Sequence, residues 1–466
     1  MNFTLRLRAI WDDLQSSLWY RPAIYTVLAI VLALIAPSID QMTTWKFYDI
    51  GADNARAVLS SIASSMLTVV TLTFSILMVS FTLASQQFSP RILRTFTRDR
   101  ASQHVMGLQI GTFLYSLLVM VRVNDVGNTT FVPLLSVLGA IGFSMVGIGA
   151  FIYFVDHISR SIRVNYIIAN IGEQTVALLH DETPEQVEAY TRQADRELAL
   201  QQETSTTLAA PSAGYLQGVD VERLVKIAEE HDLLLEMTCR TGDFIPRGRP
   251  LLQIHPADKV DKALCEELQN QFDLGTERTM FEDVLFGIRQ LVDIALKALS
   301  PGINDPTTAM NCLDYLTNIL VQAARQPHRP AHLCDEAGEV RLLVRNITFA
   351  AMVELAFHQI RHYGAGDALV VARTLDALTE ITAATEVSER RTVLWRYVLM
   401  VRRSADKGLT DPQDRRQVNA CLSAAARQMG YPVADLLLDR ADDDVTIWTP
   451  ADGAVAEEQP SALQQF

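Results

Sequence analysis

Cysteine is scarce in this sequence, and catalytic signatures are absent. The five cysteines all lie between Cys239 and Cys421, and none forms a CxxC pair, so a disulfide framework and a cysteine-based zinc site are both disfavoured. No GxSxG, Walker, HExxH or GxGxxG motif occurs either. We therefore expect buried thiols in a reducing compartment, no cofactor and no enzymatic activity.

A basic stripe is also missing. The net charge of −14 over 466 residues divides into +4 up to Arg163 and −18 beyond it. An acidic C-terminal part offers no neutralisation of phosphates, so nucleic acid is not an expected partner. The mean hydropathy of +0.13 is high for an acidic soluble protein. These features predict a membrane-embedded N-terminal part followed by an acidic soluble part.

Charge is absent altogether between Arg56 and Arg91. Since about 20 apolar residues cross a bilayer core, the stretch from Ala55 to Phe88 is long enough to span it and to continue as helix beyond the lipid. Its hydroxyl side chains recur at seven-residue intervals, close to two helical turns, and therefore share one face. The candidate pore-lining residues on this face are Ser61, Ser64, Thr68, Thr71, Ser75 and Thr82.

Two interpretations of this hydroxyl face are open. Small polar residues allow helices to pack closely, and each hydroxyl can bond the carbonyl four residues earlier in its own helix. Alternatively, several copies of the helix surround an axis, and the hydroxyls replace part of the hydration shell of a passing ion. The span contains no acid, base or histidine, which argues against a proton relay at that depth.

Three more apolar segments complete a predicted four-helix membrane domain: about 22–39, Val105–Val121 and Phe131–Val155. Short loops and termini on one side carry nine basic residues, against three on the other. The positive-inside rule then places both termini in the cytoplasm, which predicts a multi-pass protein of a bacterial inner membrane. No strong helix breaker follows the fourth span, so one continuous rod into the cytoplasm is expected.

The predicted fold class is a membrane α-helical domain of four transmembrane helices followed by a cytoplasmic α+β domain, mostly helical with a small β module. The expected divisions are an N-terminal interfacial helix (1–21), the transmembrane domain (22–163), a helical connector (164–208), the small β module (209–256), a helical cytoplasmic domain (257–432) and a disordered tail (433–466). The segment GDFIPRGRPLLQI resembles barrel-sandwich modules related to lipoyl domains. It has no modifiable lysine at its tip, so a structural role is expected.

A polar corner stands out in the helical domain. A helix over about Met280–Leu299 is stopped by a Ser-Pro-Gly sequence, and Asp305 and Pro306 begin the next helix as N-cap and first residue. The ligand or gating candidates around this corner are Arg278, Asp283, Arg289, Asp293, Asn304, Asp305, Thr307 and Thr308. They form either a structural corner or a site for a small ligand or ion at a helix N-terminus.

Glu354, His358 and His362 recur every four residues on a predicted helix. The first and third of these lie more than about 10 Å apart along the helix axis, too far to hold one metal ion. Only one adjacent pair is close enough, and a solvated helix face is the simpler interpretation. We expect no metal site.

Two motifs carry a resemblance to a known family. ASQQFSPR at 84–91 and ALSPGINDPTTA at 298–309 resemble the bacterial predicted membrane proteins that share domain of unknown function 2254. The resemblance extends from about Trp19 to Tyr431. It implies a membrane location and topology, and it brings no activity with it.

The leading functional hypothesis is an oligomeric channel or passive ion pathway, lined by the second span and controlled by the cytoplasmic domain. It rests on the hydroxyl face, the uncharged span and the missing enzyme motifs. A membrane-anchored sensor or scaffold without transport activity is the alternative, and an enzyme that uses the polar corner is a third possibility. The expected partners are membrane lipid, further copies of the chain in a homo-oligomer, and a small ion.

Overall fold

The computed structural model describes residues 17, 19–42, 51–87, 99–126, 129–180, 204–280, 283–327, 332–433 and 436–438. Several predictions fall outside these residues. They are the interfacial helix apart from its last residues, the basic loop after the second span, most of the helical connector beyond residue 180, and the disordered tail beyond residue 438.

Four helices of the described part are long and apolar enough to cross a membrane, which confirms the predicted spans. They are α1 (Tyr20–Met42), α2 (Ala52–Gln87), α3 (Arg100–Arg122) and α4 (Leu134–Ser161). Each is longer than predicted, because the helix continues past the apolar segment that marks it in the sequence. α1 even passes through Pro37. Transmembrane helices tolerate the lost backbone hydrogen bond because neighbouring helices enclose it.

α3 is the centre of the membrane bundle and contacts α1, α2 and α4. Its apolar segment is 44% buried, against 22% for each of the other three helices. α1 approaches it closely at Gly107 and Gly111, which form a GxxxG pair. A Cβ atom at Gly107 would lie 2.6 Å from Cδ2 of Tyr25, so this approach requires glycine.

A hairpin of β1 (Asn124–Val126) and β2 (Thr129–Phe131) joins α3 to α4. The first turn of α4 has no side-chain cap of its own. Asp40 of α1 supplies one, because its carboxylate accepts hydrogen bonds from the backbone N–H of Leu135 at 2.9 Å and of Ser136 at 3.1 Å. α1 and α4 are therefore tied together at this end of the bundle.

The helix is interrupted between α4 and the next helix, α5 (Val164–His180). Ile162 and Arg163 belong to neither helix, so the predicted continuous rod is wrong. The turn is tight, since the N–H of Ile162 bonds to the carbonyl of Ile158 at 3.2 Å and the carbonyl of Arg163 accepts from Ile167 at 3.2 Å. No breaker in the sequence marks this interruption. It accompanies the packing of α5 on helices that come later in the chain.

A small β module follows, and it starts earlier and ends later than the predicted 209–256. Its elements are β3 (Thr206–Ala209), β4 (Gly214–Val219), α6 (Val221–Glu230), β5 (Leu234–Met237), β6 (Phe244–Ile245), β7 (Pro250–His255), α7 (Lys262–Gln269) and β8 (Phe272–Gly275). β6, β4 and β8 form an antiparallel sheet. The segment after residue 257 was expected to be helical throughout, but β8 finds its hydrogen-bonding partner in β4, far earlier in the chain.

The rest of the chain after the spans, called here the C-terminal domain together with α5, is mainly helical in its described residues, as predicted. Its elements are α8 (Val284–Ala298), α9 (Pro306–Arg325), β9 (His332–Cys334), β10 (Val340–Leu343), α10 (Phe349–Tyr363), α11 (Ala368–Ala383), α12 (Ser388–Gly408) and α13 (Pro412–Met429). β10 pairs in parallel with β5, which gives a sheet of order β3-β7-β5-β10-β9. The helical domain thus contributes two strands to the β module, a correction to the predicted boundary.

The apolar core of the C-terminal helices continues up to the membrane domain. Ile167, Ile168 and Ile171 of α5 are buried in this core, and α5 packs against α8 and α9. Ala84, near the end of α2, is buried in the same core. The 36 residues of α2 extend about 54 Å, whereas a bilayer core is about 30 Å thick. The last turns of α2 therefore extend beyond the lipid and join the core of the C-terminal helices.

α5 and α9 run parallel. Near their first turns, Nδ2 of Asn311 donates to Oδ1 of Asn165 at 3.0 Å, and at the other end Nε2 of Gln326 donates to the carbonyl of Leu179 at 2.6 Å. Because α5 starts directly after α4, the beginning of α9 lies on the membrane side of the C-terminal domain.

Candidate functional site

The predicted pore-lining residues lie on one exposed face of α2. All six are exposed: Ser61, Ser64, Thr68, Thr71, Ser75 and Thr82. At about 100° per residue, Thr71 and Ser75 each lie about 160° around the helix from Thr73, which is fully buried. The hydroxyl face is therefore opposite to the packed face of α2, and none of the described helices covers it.

Four of the six hydroxyls on this face are satisfied as donors. Each of these four donates to the carbonyl four residues earlier at 2.8 to 3.0 Å, the donors being Thr68, Thr71, Ser75 and Thr82. The lone pairs of the hydroxyl oxygens remain as acceptors on the exposed face. Packing between copies of the chain and the lining of an ion pathway both remain compatible with this arrangement.

A buried polar pair holds the opposite face of α2. Oγ1 of Thr73 donates to Oε1 of Gln109 in α3 at 3.0 Å, and both side chains are fully buried. Both residues lie near the middle of their helices, so the bond sits within the hydrocarbon region. The amide nitrogen of Gln109 has no partner among the described protein atoms. Sequence reasoning missed this pair, although an amide inside an apolar span was a visible signal.

The eight ligand or gating candidates do not form one site. α8 is 15 residues long and rises about 22 Å, and it separates Asp283 at its beginning from Asn304 and Asp305 after its end. The predicted convergence of these residues on one corner is therefore wrong. Three separate groups of contacts take its place.

The first group is a buried ion pair beside the β module. Nη2 of Arg278 lies 2.6 Å from Oδ2 of Asp283, whose side chain is 1% exposed. Asp283 also caps α8 by accepting from the N–H of Phe286 at 3.0 Å. A Cβ atom at Gly242, where φ is +90°, would lie 2.1 Å from Oδ2 of Asp283, so backbone packs directly on the carboxylate. Burial raises the pKa of Asp283, and Arg278 opposes this effect.

The second group links α8 to α10. Nε of Arg289 lies 2.8 Å from Oδ1 of Asp293, one turn later in the same helix. Nη1 of Arg289 donates to Oε1 of Gln359 at 2.6 Å. Arg289 thus connects α8 to α10, and these contacts give Arg289 and Asp293 a structural role.

The third group is the turn between α8 and α9 on the membrane side. The predicted N-cap is confirmed, since Asp305 accepts from the N–H of Thr308 at 3.1 Å and from its hydroxyl at 2.6 Å. The N–H of Asp305 bonds to the carbonyl of Ala298 at 2.8 Å. Asn304 has a φ of 49°, a left-handed conformation that asparagine tolerates, and Thr307 is exposed. These contacts account for the turn as a structural corner.

The family described as "Predicted membrane protein (DUF2254)" matches this chain over residues 15–380. The chain belongs to the DUF2254 family. Uncharacterized proteins of Mycobacterium bovis and Mycobacterium tuberculosis are each 30% identical to it over an alignment of 434 residues, which covers 91% of this chain and 82% of each relative. No solved structure matches the chain.

In this DUF2254 protein, both motifs that indicated the family contribute buried residues to the same apolar core. Ala84 of the first motif and Ala298 and Ala309 of the second are all buried in it. Residues 88–91 of the first motif lie outside the described residues. The described parts of both motifs thus lie where the membrane domain joins the C-terminal domain.

The DUF2254 fold shows no cluster of three His, Cys, Asp or Glu side chains suited to a metal ion among the described residues. Glu354, His358 and His362 are all exposed on α10. Cys239 and Cys312 are buried, and all five cysteines are free thiols. Burial raises the pKa of Cys239 to about 11, so this thiol is protonated at neutral pH.

Proposed function

We propose that several copies of this chain assemble into a passive ion channel in the bacterial inner membrane, lined by the hydroxyl face of α2 and controlled by the cytoplasmic domain. The observation that carries the proposal is the exposure of all six hydroxyl residues on the face of α2 opposite to its packed face. The orientation, with both termini in the cytoplasm, rests on the excess of arginine on one side of the spans.

The pathway lies between copies rather than inside one bundle. The inner face of α2 is closed by buried side chains, among them Leu59, Met66, Thr73 and Leu77. A route along the hydroxyl face therefore runs outside the single bundle. Several copies around a common axis enclose this route and withdraw the polar face from lipid.

The chemistry of the face favours a cation. Because four of the six hydroxyl hydrogens are directed at carbonyls of α2 itself, the exposed oxygens of these four residues act as acceptors, as the water oxygens around a cation do. No charged side chain lies between Arg56 and the end of α2. An ion is therefore held only weakly at each hydroxyl, which a conducting pathway needs.

Contact between α2 and the cytoplasmic core supports control by the cytoplasmic domain. Ala84 is buried in the core that contains Ile167 and Ile168 of α5, and Phe81 packs against the same core. A shift of the cytoplasmic helices consequently reaches the helix that carries the hydroxyl face. This coupling is a contiguous packed connection between two parts of one chain.

Ion flux into liposomes that contain the purified full chain tests the proposal. The decisive variant is Ser75→Leu, which places an apolar side chain on the hydroxyl face. Ser65→Leu is the matched control, because Ser65 is an equally exposed serine of α2 about 80° around the helix from Ser75. We expect cation flux with wild type and with Ser65→Leu, and its loss with Ser75→Leu at the same oligomer size.

Flux that is equal in the two variants would show that α2 does not line the pathway. Absence of flux from wild-type protein under varied voltage, pH and osmotic tension would favour the membrane-anchored scaffold. A pull-down with the full chain in detergent is then the appropriate next experiment.

A further inference from the structure

A cluster of basic residues outside the candidate pore lies where α1 and α3 begin. Arg21 and Tyr25 are in the first turns of α1, and Arg100 and His104 are in the first turns of α3. Arg100 and His104 are four residues apart on one helix and so lie on the same face. Both are exposed, so the cluster faces outward at the end of the bundle.

The hydrogen bonds define the protonation of His104. The guanidinium of Arg21 contacts Nε2 of His104, and an arginine can only donate. Nε2 is therefore the acceptor, and the proton of the neutral ring is on Nδ1. The hydroxyl oxygen of Tyr25 lies 3.0 Å from Nδ1 and accepts that proton's hydrogen bond. His104 thus orients Arg21 but does not neutralise its charge.

The two arginines have no carboxylate partner in the part of the chain that the structure describes. Asp99 and Asp156, two of the described acidic residues at this end, are already engaged, Asp99 with His157 at 3.0 Å and Asp156 with Arg160. The Nε of Arg21 is shielded from solvent and has no protein acceptor among the described residues. A guanidinium N–H withdrawn from water needs an acceptor, and a guanidinium suits a phosphate because it offers several N–H donors in one plane.

We propose that Arg21 and Arg100 bind the phosphate of an anionic phospholipid headgroup, with His104 as a positioning residue for Arg21. The start of two transmembrane helices is the depth at which headgroup phosphates lie. In the orientation proposed above this is the cytoplasmic leaflet. The proposed site does not depend on that orientation or on channel activity, because its residues belong to α1 and α3 and none belongs to the hydroxyl face of α2.

Lipid binding to the purified full chain in non-ionic detergent tests the proposal, with native mass spectrometry as the readout. The probes are phosphatidylglycerol, phosphatidylcholine and inorganic phosphate. We expect retention of phosphatidylglycerol by wild type, and retention about tenfold weaker in Arg21→Gln and in Arg100→Gln, since each change removes a charge-assisted contact. The matched control is Arg160→Gln, an exposed arginine at the same end that already has a carboxylate partner. It should bind as wild type does.

Competition by inorganic phosphate at concentrations similar to the lipid would support a phosphate site that also takes the free anion. Absence of that competition would assign the site to the lipid headgroup. Equal retention of phosphatidylglycerol and phosphatidylcholine, unchanged in Arg21→Gln and Arg100→Gln, would overturn the proposal. An equal loss of phosphatidylglycerol binding in Arg21→Gln, Arg100→Gln and the control Arg160→Gln would also overturn the proposal. Arg21→Lys keeps the charge and should retain part of the binding, which separates loss of the site from loss of folding.

Discussion

Gly287 of α8 lies so close to Thr175 of α5 that a Cβ atom at position 287 would be 2.0 Å from Oγ1 of Thr175. The threonine hydroxyl donates to the carbonyl of Ile171 at 2.6 Å and so points back at its own helix. Gly172 of α5 meets Tyr315 of α9 in a similar way, with 2.5 Å between a Cβ atom built at the glycine and Cδ1 of the tyrosine. The helix that follows the last span is therefore packed without a gap against α8 and α9 of the C-terminal domain.

Gly287→Ala should destabilise the protein by about 1–3 kcal/mol, because the added methyl group has no space and the helices must separate. Thr175→Ala in the same chain removes Oγ1 and should restore part of the loss. The measurement is chemical unfolding of the purified protein in detergent. Gly302→Ala is the control, since a Cβ atom there meets nothing within 4 Å. Equal stability of Gly287→Ala and Gly302→Ala would show that this crossing is loose.

The pair of Thr73 and Gln109 should couple α2 to α3 inside the bilayer. Thr73→Val leaves the amide oxygen of Gln109 without its donor, and we expect a loss of about 1 kcal/mol. Combined with Gln109→Leu, the total loss should be smaller than the sum of the two single losses, as measured by a double-mutant cycle. Thr68→Val is the control, because the hydroxyl of Thr68 bonds only within α2. Strict additivity would contradict the coupling.

Gly107→Ala should weaken the α1–α3 contact by about 1–3 kcal/mol, because its Cβ atom would collide with the ring of Tyr25 at 2.6 Å. Gly142→Ala in α4 is the matched glycine variant in the membrane, with nothing within 4 Å of the new atom. It should leave stability unchanged or slightly increased. The measurement is the midpoint of thermal unfolding of both variants in the same detergent. An identical midpoint for Gly107→Ala and Gly142→Ala would contradict the predicted collision with Tyr25.

The raised pKa of Asp283 predicts that the stability of the folded protein depends on pH. Burial places its folded-state pKa above its ordinary value of 3.8, so the folded protein binds this proton more tightly than the unfolded chain does. The contribution of the group to stability is therefore fully present below about 3.8 and is lost as pH rises through the folded-state pKa. The stability of wild type relative to Asp283→Asn should fall as pH increases over that interval.

Chemical unfolding of both proteins at a series of pH values measures this difference directly. Asp283→Asn removes the titrating group and keeps a side chain of similar size. The ion pair with Arg278 requires an ionised Asp283, so its effect is already contained in the folded-state pKa. Only the difference in packing and helix capping between the two side chains adds an offset that does not depend on pH. A relative stability that increases with pH would contradict the raised pKa.

Local sequence was sufficient for the features that depend on one element. The four spans follow from the length of apolar segments, and the cap at Asp305 follows from side-chain chemistry next to Pro306. The sharing of one face by the hydroxyls of α2 follows from helical periodicity alone, and the structure agrees. Each of these features needs only the residues within a few turns of one helix.

Tertiary structure alone decided the features that depend on partners far apart in the chain. The interruption at Ile162 and Arg163 has no local breaker, and β8 and β10 become strands because β4 and β5 offer them hydrogen-bonding edges. The predicted polar corner is divided because a helix of about 22 Å lies between Asp283 and Asp305. Sequence patterns identify which side chains are polar, whereas distances between them depend on how the helices pack.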